Sequence, residues 1–280
     1  KSNPQLASYI TELIGDAWIK DLSELKKLEQ FLDDKNVLDR IWDIKIEKKK
    51  ELVEYLRETQ GIDINPNSIF DVQVKRLHAY KRQLLNVLHI VKLYWDLKDN
   101  PNLDMVPRVF IFGAKAAPGY HFAKSVIKII NELANLINSD ESLQGKLKVV
   151  FLENYNVSLA ELIIPAANVS EQISLASKEA SGTSNMKFMM TGAVTLATLD
   201  GANIEIKDEV GDENIVIFGM TKDDVYRHYE NHDYYSRGVY ESNPVIKRVV
   251  DTFINGTIPN SQSEGTEIYE ALITHNDEYF

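Results

Sequence analysis

The sequence predicts an α/β fold: a Rossmann-like parallel sheet with helices on both faces, preceded by extra N-terminal helices. From residue 62 onward, short runs rich in Val, Ile and Phe alternate with helical segments, most of them a dozen residues or longer. This alternation is typical of βαβ units, which run their strands in parallel and cover both faces of the sheet with helices. Before residue 62, apolar residues recur at helical spacing instead.

The first 61 residues are predicted to form a helical segment that packs on the domain. A start signal, Ser2-Asn3-Pro4, precedes the first helical run, and two further runs cover residues 22–32 and 37–60. The third run contains the triplet Lys48-Lys49-Lys50, which we expect to lie on exposed helix surface.

Residues 62–280 are predicted to form one Rossmann-like domain. The predicted strands are residues 69–74, 106–112, 147–152, 170–174 and 193–198, and the predicted helices are residues 78–97, 120–137 and 158–163. Ligands of such sheets bind outside the carboxyl ends of the strands. The loops of interest therefore follow Val74, Phe112, Leu152 and Ser174.

Composition and charge exclude several classes of protein. The 280 residues are 44% hydrophobic and 26% charged, as in ordinary soluble globular proteins. A formal net charge of −11 argues against nucleic-acid and anionic-membrane binding. The absence of cysteine excludes disulfide scaffolds, cysteine-based zinc sites and thiol catalysis, and we assign no metal ligand.

The start of the chain and its most apolar stretch suggest a cytoplasmic fragment. Residues 126–137 are too short and too polar to span a membrane. The chain begins at Lys1, without Met and without a cationic and apolar leader, so we expect a piece of a larger, non-secreted protein.

Residues 74–83 are unusually basic for an acidic chain. They contain Lys75, Arg76, His78, Lys81 and Arg82. Because a predicted strand ends here and a helix begins, the cationic side chains and free backbone N–H groups could converge on one anion. The alternative is a basic helix face that balances carboxylates elsewhere.

Two further loops contain residues suited to ligand binding. The loop 113–119, GAKAAPG, follows an apolar strand but matches neither common nucleotide-binding glycine pattern, so a plain tight turn is the alternative. Residues 181–185 supply small and polar side chains before an apolar helical run that contains Lys187. If its apolar neighbours desolvate it, Lys187 gains the neutral amine that forms imines; otherwise it is a surface lysine.

Four stretches of the chain resemble one known family, in the same order. They are DVQVKRLHAYKRQLLN (residues 71–86), GAKAAPGYH (113–121), FLENYNVSLAELIIPA (151–166) and EASGTSNMKFMMTGAVTLATLDGANIEI (179–206). Each resembles the corresponding segment of the α-glucan (glycogen, starch and maltodextrin) phosphorylases, and the similarity extends over nearly the whole chain.

The resemblance implies the C-terminal domain of a two-domain GT-B type glycosyltransferase fold, here without the N-terminal domain and the C-terminal tail. The family cleaves terminal α-1,4 bonds of glucans with inorganic phosphate and releases α-glucose 1-phosphate with retention. Its cofactor is pyridoxal 5′-phosphate, whose own phosphate donates or shuttles a proton. The implied full-length protein is a cytoplasmic, allosteric homodimer, and the fragment alone is expected to be inactive.

The resemblance also implies roles for individual residues. Lys187 carries the cofactor as a Schiff base, and Lys75, Lys81, Tyr155, Thr183 and Ser184 are the other cofactor contacts. Arg76 and Lys81 bind the substrate phosphate, so that Lys75, Arg76 and Lys81 are the catalytic cations. Glu179, Ser181 and Gly182 bind the glucose hydroxyl groups.

The sequence departs from the family pattern at a few positions. Ser184 stands where many members have Gly, and Asn156 where the animal enzymes often have Arg. Ala79 occupies a position that is often acidic, which argues against a purine inhibitor site beside Tyr120. The contact of the Ser184 backbone amide survives its substitution if the φ angle allows.

Two other functions compete with a phosphorylase fragment. The first is a non-catalytic Rossmann-like module that binds sugar phosphates or a partner domain. The second is nucleic-acid binding through residues 75–82, which the net charge of −11 and the absence of a matching fold signature disfavour.

Overall fold

A computed structural model describes residues 2–276, and the chain divides into two compact units. One unit comprises Lys1–Asn67 with Asn156–Ala167, and the other comprises Ser68–Tyr155 with Asn168–Phe280. The α-helices are α1 (Pro4–Ile14), α2 (Lys35–Gln60), α3 (Gln83–Asp99), α4 (His121–Ser139), α5 (Val157–Ala166), α6 (Ser184–Met190), α7 (Asn203–Val210), α8 (Lys222–Asn231), α9 (Ser236–Ser242), α10 (Pro244–Asp251) and α11 (Gln262–Tyr269). The strands are β1 (Ile69–Val74), β2 (Arg108–Gly113), β3 (Leu147–Leu152), β4 (Val169–Gln172), β5 (Val194–Ala197) and β6 (Val216–Ile217).

The first unit is helical, as the sequence predicts for its N-terminal part. Asp34 is the N-cap of helix α2, and its side chain accepts hydrogen bonds from the N–H groups of Asn36 and Val37. The helix ends at Gly61, whose φ of 65° is left-handed. The predicted run at 22–32 forms a 3-10 helix, Leu22–Phe31, rather than an α-helix. Because α5 belongs to the same unit, the unit is not confined to the first 61 residues; the domain boundary at residue 62 stays a prediction.

The prediction of an exposed lysine triplet is wrong for two of its three members. Lys48 and Lys49 are buried, and only Lys50 is exposed. Lys49 lies four residues after Lys45 and three before Leu52, so it shares the helix face that packs on α5. Lys45 is buried too, and its Nζ donates to the backbone oxygens of Pro165 and Ala167 at 2.8 Å each. These lysine stems act as core residues, and the Lys45 ammonium group caps the end of α5.

The second unit confirms the predicted parallel α/β sheet flanked by helices. Within residues 2–276 its six strands have the order β3-β2-β1-β4-β5-β6, and every pair is parallel. The chain builds outward from β1 to β3 and then continues on the other side of β1 with β4 to β6. The point between β1 and β4, where this direction reverses, is where open α/β sheets bind their ligands.

Most strand boundaries lie within two residues of the predicted ones, and two strands, β1 and β3, match at both ends. The helix predicted from residue 78 begins only at Gln83. Before it, Ala79–Lys81 form one 3-10 turn and Arg82 has a left-handed φ of 55°. Lys81 and Arg82 therefore lie on this turn before α3 and not on the helix itself.

The core of the second unit lies around α3, α4 and β2. Its centre is formed by fully buried residues such as Ile90, Phe110, Phe112, Ile129 and Ile130. Burial of such side chains stabilises the fold by roughly 1.5–3 kcal/mol each. None of the helices in the described part of the chain is both long and apolar enough to cross a membrane.

Candidate functional site

The site begins where β1 and β4 end beside each other. Lys75 follows the last residue of β1, and Gln172 is the last residue of β4. Their side chains meet, with Lys75 Nζ donating to Gln172 Oε1 at 2.9 Å. The loop after Val74 therefore lies at the strand-order reversal, where the sequence predicts ligand binding.

Lys75 is a partly buried cation. The pKa of its ammonium group is lowered to about 8, mainly by burial and in addition by the charge of Lys81, while the charges of Glu179 and Glu171 partly offset this shift. At neutral pH the group is therefore mostly charged, yet it is poorly hydrated. A poorly hydrated ammonium group is well suited to bind an anion.

Lys81 lies on the 3-10 turn that follows β1 and forms an ion pair with Glu179. The Nζ to Oε2 distance is 2.5 Å, and both side chains are largely buried. Burial lowers the pKa of Lys81, but hydrogen bonds to Glu179 and Tyr80 outweigh it, so the pKa is raised overall. Its ammonium group also lies 4.8 Å from the centre of the Tyr80 ring.

Asp200 holds the loop that carries Glu179. Its buried carboxylate accepts hydrogen bonds from the backbone N–H groups of Ser177 (2.9 Å) and Glu179 (2.8 Å) and from the hydroxyl of Ser174 (2.7 Å). Asp200 is not predicted from the sequence, because no local pattern marks a residue whose contacts lie 21–26 positions earlier in the chain.

The basic side chains of residues 74–83 do not all come together at one point. Arg82 is buried, and its guanidinium donates from Nε to the oxygen of Ile173 at 2.7 Å. Burial lowers the pKa of Arg82 to about 10. Arg82 is thus a structural residue that joins the start of α3 to the chain after β4. Arg76 is exposed, and His78 packs on the rings of Tyr80 and Tyr120.

The loop before α6 is held by the residues that follow β5. The Asn185 side chain is buried and donates to Asn203 Oδ1 at 2.9 Å. The Ser181 oxygen accepts from the Ala202 N–H at 2.7 Å, and a Cβ on Gly201 would lie 2.4 Å from that oxygen. Only glycine permits this approach, so the position of Ser181 depends on Gly201.

The other predicted residues of this loop are placed as follows. Gly182 has a φ of 82°, and Thr183 is the exposed N-cap of α6, without a side-chain capping bond. Ser184 begins the helix and accepts a hydrogen bond from Gln172 Nε2 at 3.2 Å. The loop thus presents small residues to solvent beside the Lys75–Gln172 pair.

Lys187 is exposed, so its apolar neighbours do not desolvate it in this structure. Helix α6 has only seven residues, and its buried side chains are Asn185 and Phe188. Since successive side chains on a helix point about 100° apart, Lys187 lies off the buried face. Its amine is accessible, which covalent attachment of an aldehyde requires.

Tyr155 and Gly113 complete the site at the ends of β2 and β3. A Cβ on Gly113 would lie 3.3 Å from Tyr155 Cβ and 3.0 Å from Val74 Cγ1. The glycine therefore lets the half-buried Tyr155 side chain pack against the ends of the strands. Burial raises the pKa of Tyr155, so it is a neutral phenol at physiological pH.

A pair of buried carboxyl groups lies within the two strands, β1 and β4, whose ends carry Lys75 and Gln172. Asp71 of β1 and Glu171 of β4 are almost fully buried. Burial raises the pKa of both carboxyl groups, and the charge of Asp71 raises the pKa of Glu171 further. Arg108, 3.5 Å from Asp71, partly offsets these shifts by lowering the pKa of both. The two groups therefore tend to share a proton. The strand pattern gave no sign of this pair.

The donor set fits a phosphorylated aldehyde better than a metal ion. Two ammonium groups and a hydroxyl-bearing loop can receive phosphate, and an exposed amine can receive an aldehyde. No group of three or more His, Asp or Glu side chains within residues 2–276 is arranged to hold a metal ion.

Comparison with known proteins identifies the family. The sequence model of the family described as "Carbohydrate phosphorylase" matches residues 1–280. The chain belongs to the carbohydrate phosphorylase family. Glycogen phosphorylase of Bacillus subtilis (strain 168) is 51% identical over 280 residues, which are 100% of this chain and 35% of that protein.

Two other phosphorylases are similarly close. Glycogen phosphorylase of Haemophilus influenzae is 49% identical over 276 residues, covering 98% of this chain and 34% of that protein. The liver form of glycogen phosphorylase of Homo sapiens is 50% identical over 262 residues, covering 94% and 31% respectively. The chain thus spans about a third of the length of the curated phosphorylases that it matches.

Proposed function

We propose that the chain is the cofactor- and phosphate-binding part of an α-glucan phosphorylase. The reaction would be the phosphorolysis of terminal α-1,4-glucosidic bonds to α-glucose 1-phosphate. The observation that carries the proposal is the placement of Lys75 and Lys81 beside the end of β4, with Glu179 held against Lys81. Cations and a carboxylate within reach of each other suit a reaction that joins a phosphate to a sugar.

Pyridoxal 5′-phosphate is the proposed cofactor, and when bound it supplies a phosphate group able to exchange a proton with the substrate phosphate. Lys187 offers the exposed amine for its covalent attachment. Lys75, Lys81, Thr183 and Ser184 would hold its phosphate, and Tyr155 would lie beside it. The partly buried Lys75 adds more binding energy there than a hydrated surface lysine would.

Arg76 and Lys81 are the proposed contacts of the substrate phosphate. Arg76 is exposed and free to form two parallel hydrogen bonds to a phosphate, whereas Lys81 acts as a point charge. Two phosphates placed side by side repel each other. Lys75 and Lys81 would offset this repulsion and so let the two phosphates approach closely enough for a proton to pass between them.

Glu179, Ser181 and Gly182 are the proposed contacts of the glucose hydroxyl groups. The Asp200 carboxylate orients Glu179 through its backbone, and Gly201 fixes the Ser181 oxygen. A carboxylate at this position would also stabilise the oxocarbenium-like transition state of glycosyl transfer. We assign no carboxylate nucleophile.

Inorganic phosphate, glucose 1-phosphate and an α-1,4-glucan are the proposed partners, together with the N-terminal domain found in full-length phosphorylases. We propose a cytoplasmic homodimer for the full-length protein. The 280 residues alone should retain cofactor but not turn over glucan, because the glucan site and part of the phosphate site would lie in the N-terminal domain.

The test is cofactor attachment. The chain is incubated with pyridoxal phosphate, reduced with borohydride and digested, and the modified peptide is identified by mass spectrometry. Modification of Lys187 that disappears in Lys187→Ala is expected, and Lys50→Ala, an exposed lysine of α2, is the matched control. An unmodified Lys187 at saturating cofactor would contradict the proposal.

The competing function is a sugar-phosphate module without cofactor. The lysine pair by itself could bind a phosphate ester, which keeps this candidate open. Calorimetric binding of glucose 1-phosphate to the cofactor-free chain, with no attachment at Lys187, would favour it.

A further inference from the structure

We propose that Gln172 is a positioning residue that fixes the Lys75 ammonium group and the first residue of α6 relative to each other. Gln172 is the last residue of β4 and is only 6% exposed. The inference rests on the proposed function, in which Lys75 and Ser184 hold the cofactor phosphate.

The side-chain amide of Gln172 forms hydrogen bonds at both its oxygen and its nitrogen. Oε1 accepts from Lys75 Nζ at 2.9 Å and, more weakly, from Ser184 Oγ at 3.5 Å, and Nε2 donates to Ser170 Oγ at 2.9 Å and to Ser184 Oγ at 3.2 Å. An ammonium group has no acceptor, so the oxygen of the amide must face Lys75 and the nitrogen must face the two serines. The chemistry of Lys75 thereby determines the orientation of the amide.

The backbone of Gln172 is held as firmly as its side chain. Its carbonyl oxygen accepts from the Thr198 N–H at 3.2 Å and from Asn203 Nδ2 at 3.3 Å. Asn203 Oδ1 also accepts a hydrogen bond from Nδ2 of Asn185 in α6. Gln172 therefore links β1, β4 and the helix that carries Lys187 in one hydrogen-bonded unit, which is the support that a binding site needs to keep its geometry.

The two lysines of the site are held in different ways. Lys81 is paired with a carboxylate, which offsets its charge, whereas Lys75 is held by a neutral amide, which does not. A neutral acceptor aims the ammonium group while leaving its full charge for an anion. A glutamate at position 172 would aim Lys75 equally well but would place a negative charge beside the phosphate.

The side chain of Ser184 makes the link to α6. A glycine at this position, which has no side chain, could not form the bond from Gln172 Nε2 to Ser184 Oγ. The serine hydroxyl lets the strand end and the helix start be joined directly.

The first experiment measures retention of pyridoxal phosphate by the 280-residue chain, from equilibrium titration with borohydride trapping. Gln172→Met keeps the length of the side chain but removes its hydrogen bonds, and should weaken retention by about tenfold. Gln172→Glu should weaken it at least as much, because it adds charge. Thr195→Val is the matched control: its buried Oγ1 on the neighbouring β5 has no hydrogen-bond partner among residues 2–276, and retention should not change. Wild-type retention in Gln172→Met would overturn the proposal.

A double-mutant cycle tests the link to α6. Ser184→Gly should weaken retention by roughly threefold in the wild-type chain and not at all in Gln172→Met. Additive losses would show that Ser184 acts independently of Gln172 and would overturn that part of the inference.

A third measurement needs no cofactor and separates the two proposals. The pH dependence of amine labelling, read by peptide mass spectrometry, gives the pKa of Lys75, with exposed Lys50 as internal reference. Gln172→Met should lower the pKa of Lys75 and Gln172→Glu should raise it; an unchanged pKa in both would overturn the role of Gln172. If wild type fails to retain pyridoxal phosphate but these shifts occur, the proposed function fails while the positioning of Lys75 stands.

Discussion

Glu179 and Lys81 form a 2.5 Å ion pair across 98 positions of the sequence. The proposed function gives these two side chains different ligands, a sugar for Glu179 and phosphate for Lys81. In the structure the two side chains bind each other. Under the proposed function, phosphate would compete with Glu179 for Lys81, and phosphate binding would release Glu179 to accept a sugar hydroxyl.

Glu179→Gln should strengthen phosphate binding to the chain by about three- to tenfold, since the amide cannot hold Lys81 as an ion pair. Isothermal calorimetry with inorganic phosphate measures the effect. Glu230→Gln, an exposed position on α8, serves as control. Unchanged or weaker phosphate binding in Glu179→Gln would contradict the competition.

Anion binding should weaken as the pH rises above about 8, because burial lowers the pKa of Lys75 to about 8 and the group then loses its charge. Sulfate is a suitable probe because it stays a dianion throughout this range. A titration series between pH 7 and pH 9.5 should show the loss, and Lys75→Met should bind weakly with a flatter profile. Affinity that stays level across pH 8 in the wild-type chain would argue against this role of Lys75.

Glu171→Gln should stabilise the chain at pH 7–8. The folded-state pKa of Glu171 is raised by burial and by Asp71, so the folded state binds more protons than the unfolded state above the unfolded pKa of about 4.3. Stability is therefore lost as the pH rises from that value through the folded pKa. The glutamine cannot ionise, and the gain in unfolding free energy should be on the order of 1–3 kcal/mol at pH 8 and should vanish near pH 4. Urea unfolding at the two pH values measures it, and an equal gain at both would contradict the linkage.

Gly201→Ala should displace the loop that carries Ser181, because the new Cβ would lie 2.4 Å from the Ser181 oxygen and the φ of 55° disfavours alanine. A loss of about 1–3 kcal/mol of stability and weaker glucose 1-phosphate binding are expected. Gly119→Ala, whose Cβ would meet nothing within 4 Å, is the control. Equal behaviour of the two variants would show that the approach at Gly201 is not needed.

The sequence by itself determined the class of fold, and it predicts the place of the site. Apolar runs such as residues 69–74 and 147–152 predict strands whose ends the structure reproduces. The strand-helix alternation predicts a parallel sheet, and a parallel sheet predicts a site at its carboxyl edge. The strands and the parallel sheet are confirmed because strand and helix signals are local in the sequence, whereas the site stays a prediction.

Only the tertiary structure decided which polar side chains serve the site and which serve the core. Lys49 and Arg82 each stand next to another cation in the sequence, which is typical of exposed positions, yet packing buries both side chains. Gln172 and Lys75 are 97 positions apart and meet only because β1 and β4 pair at the reversal of strand order. The environment of a charge depends on its neighbours in space, and local sequence patterns contain no information about neighbours brought together by such pairing.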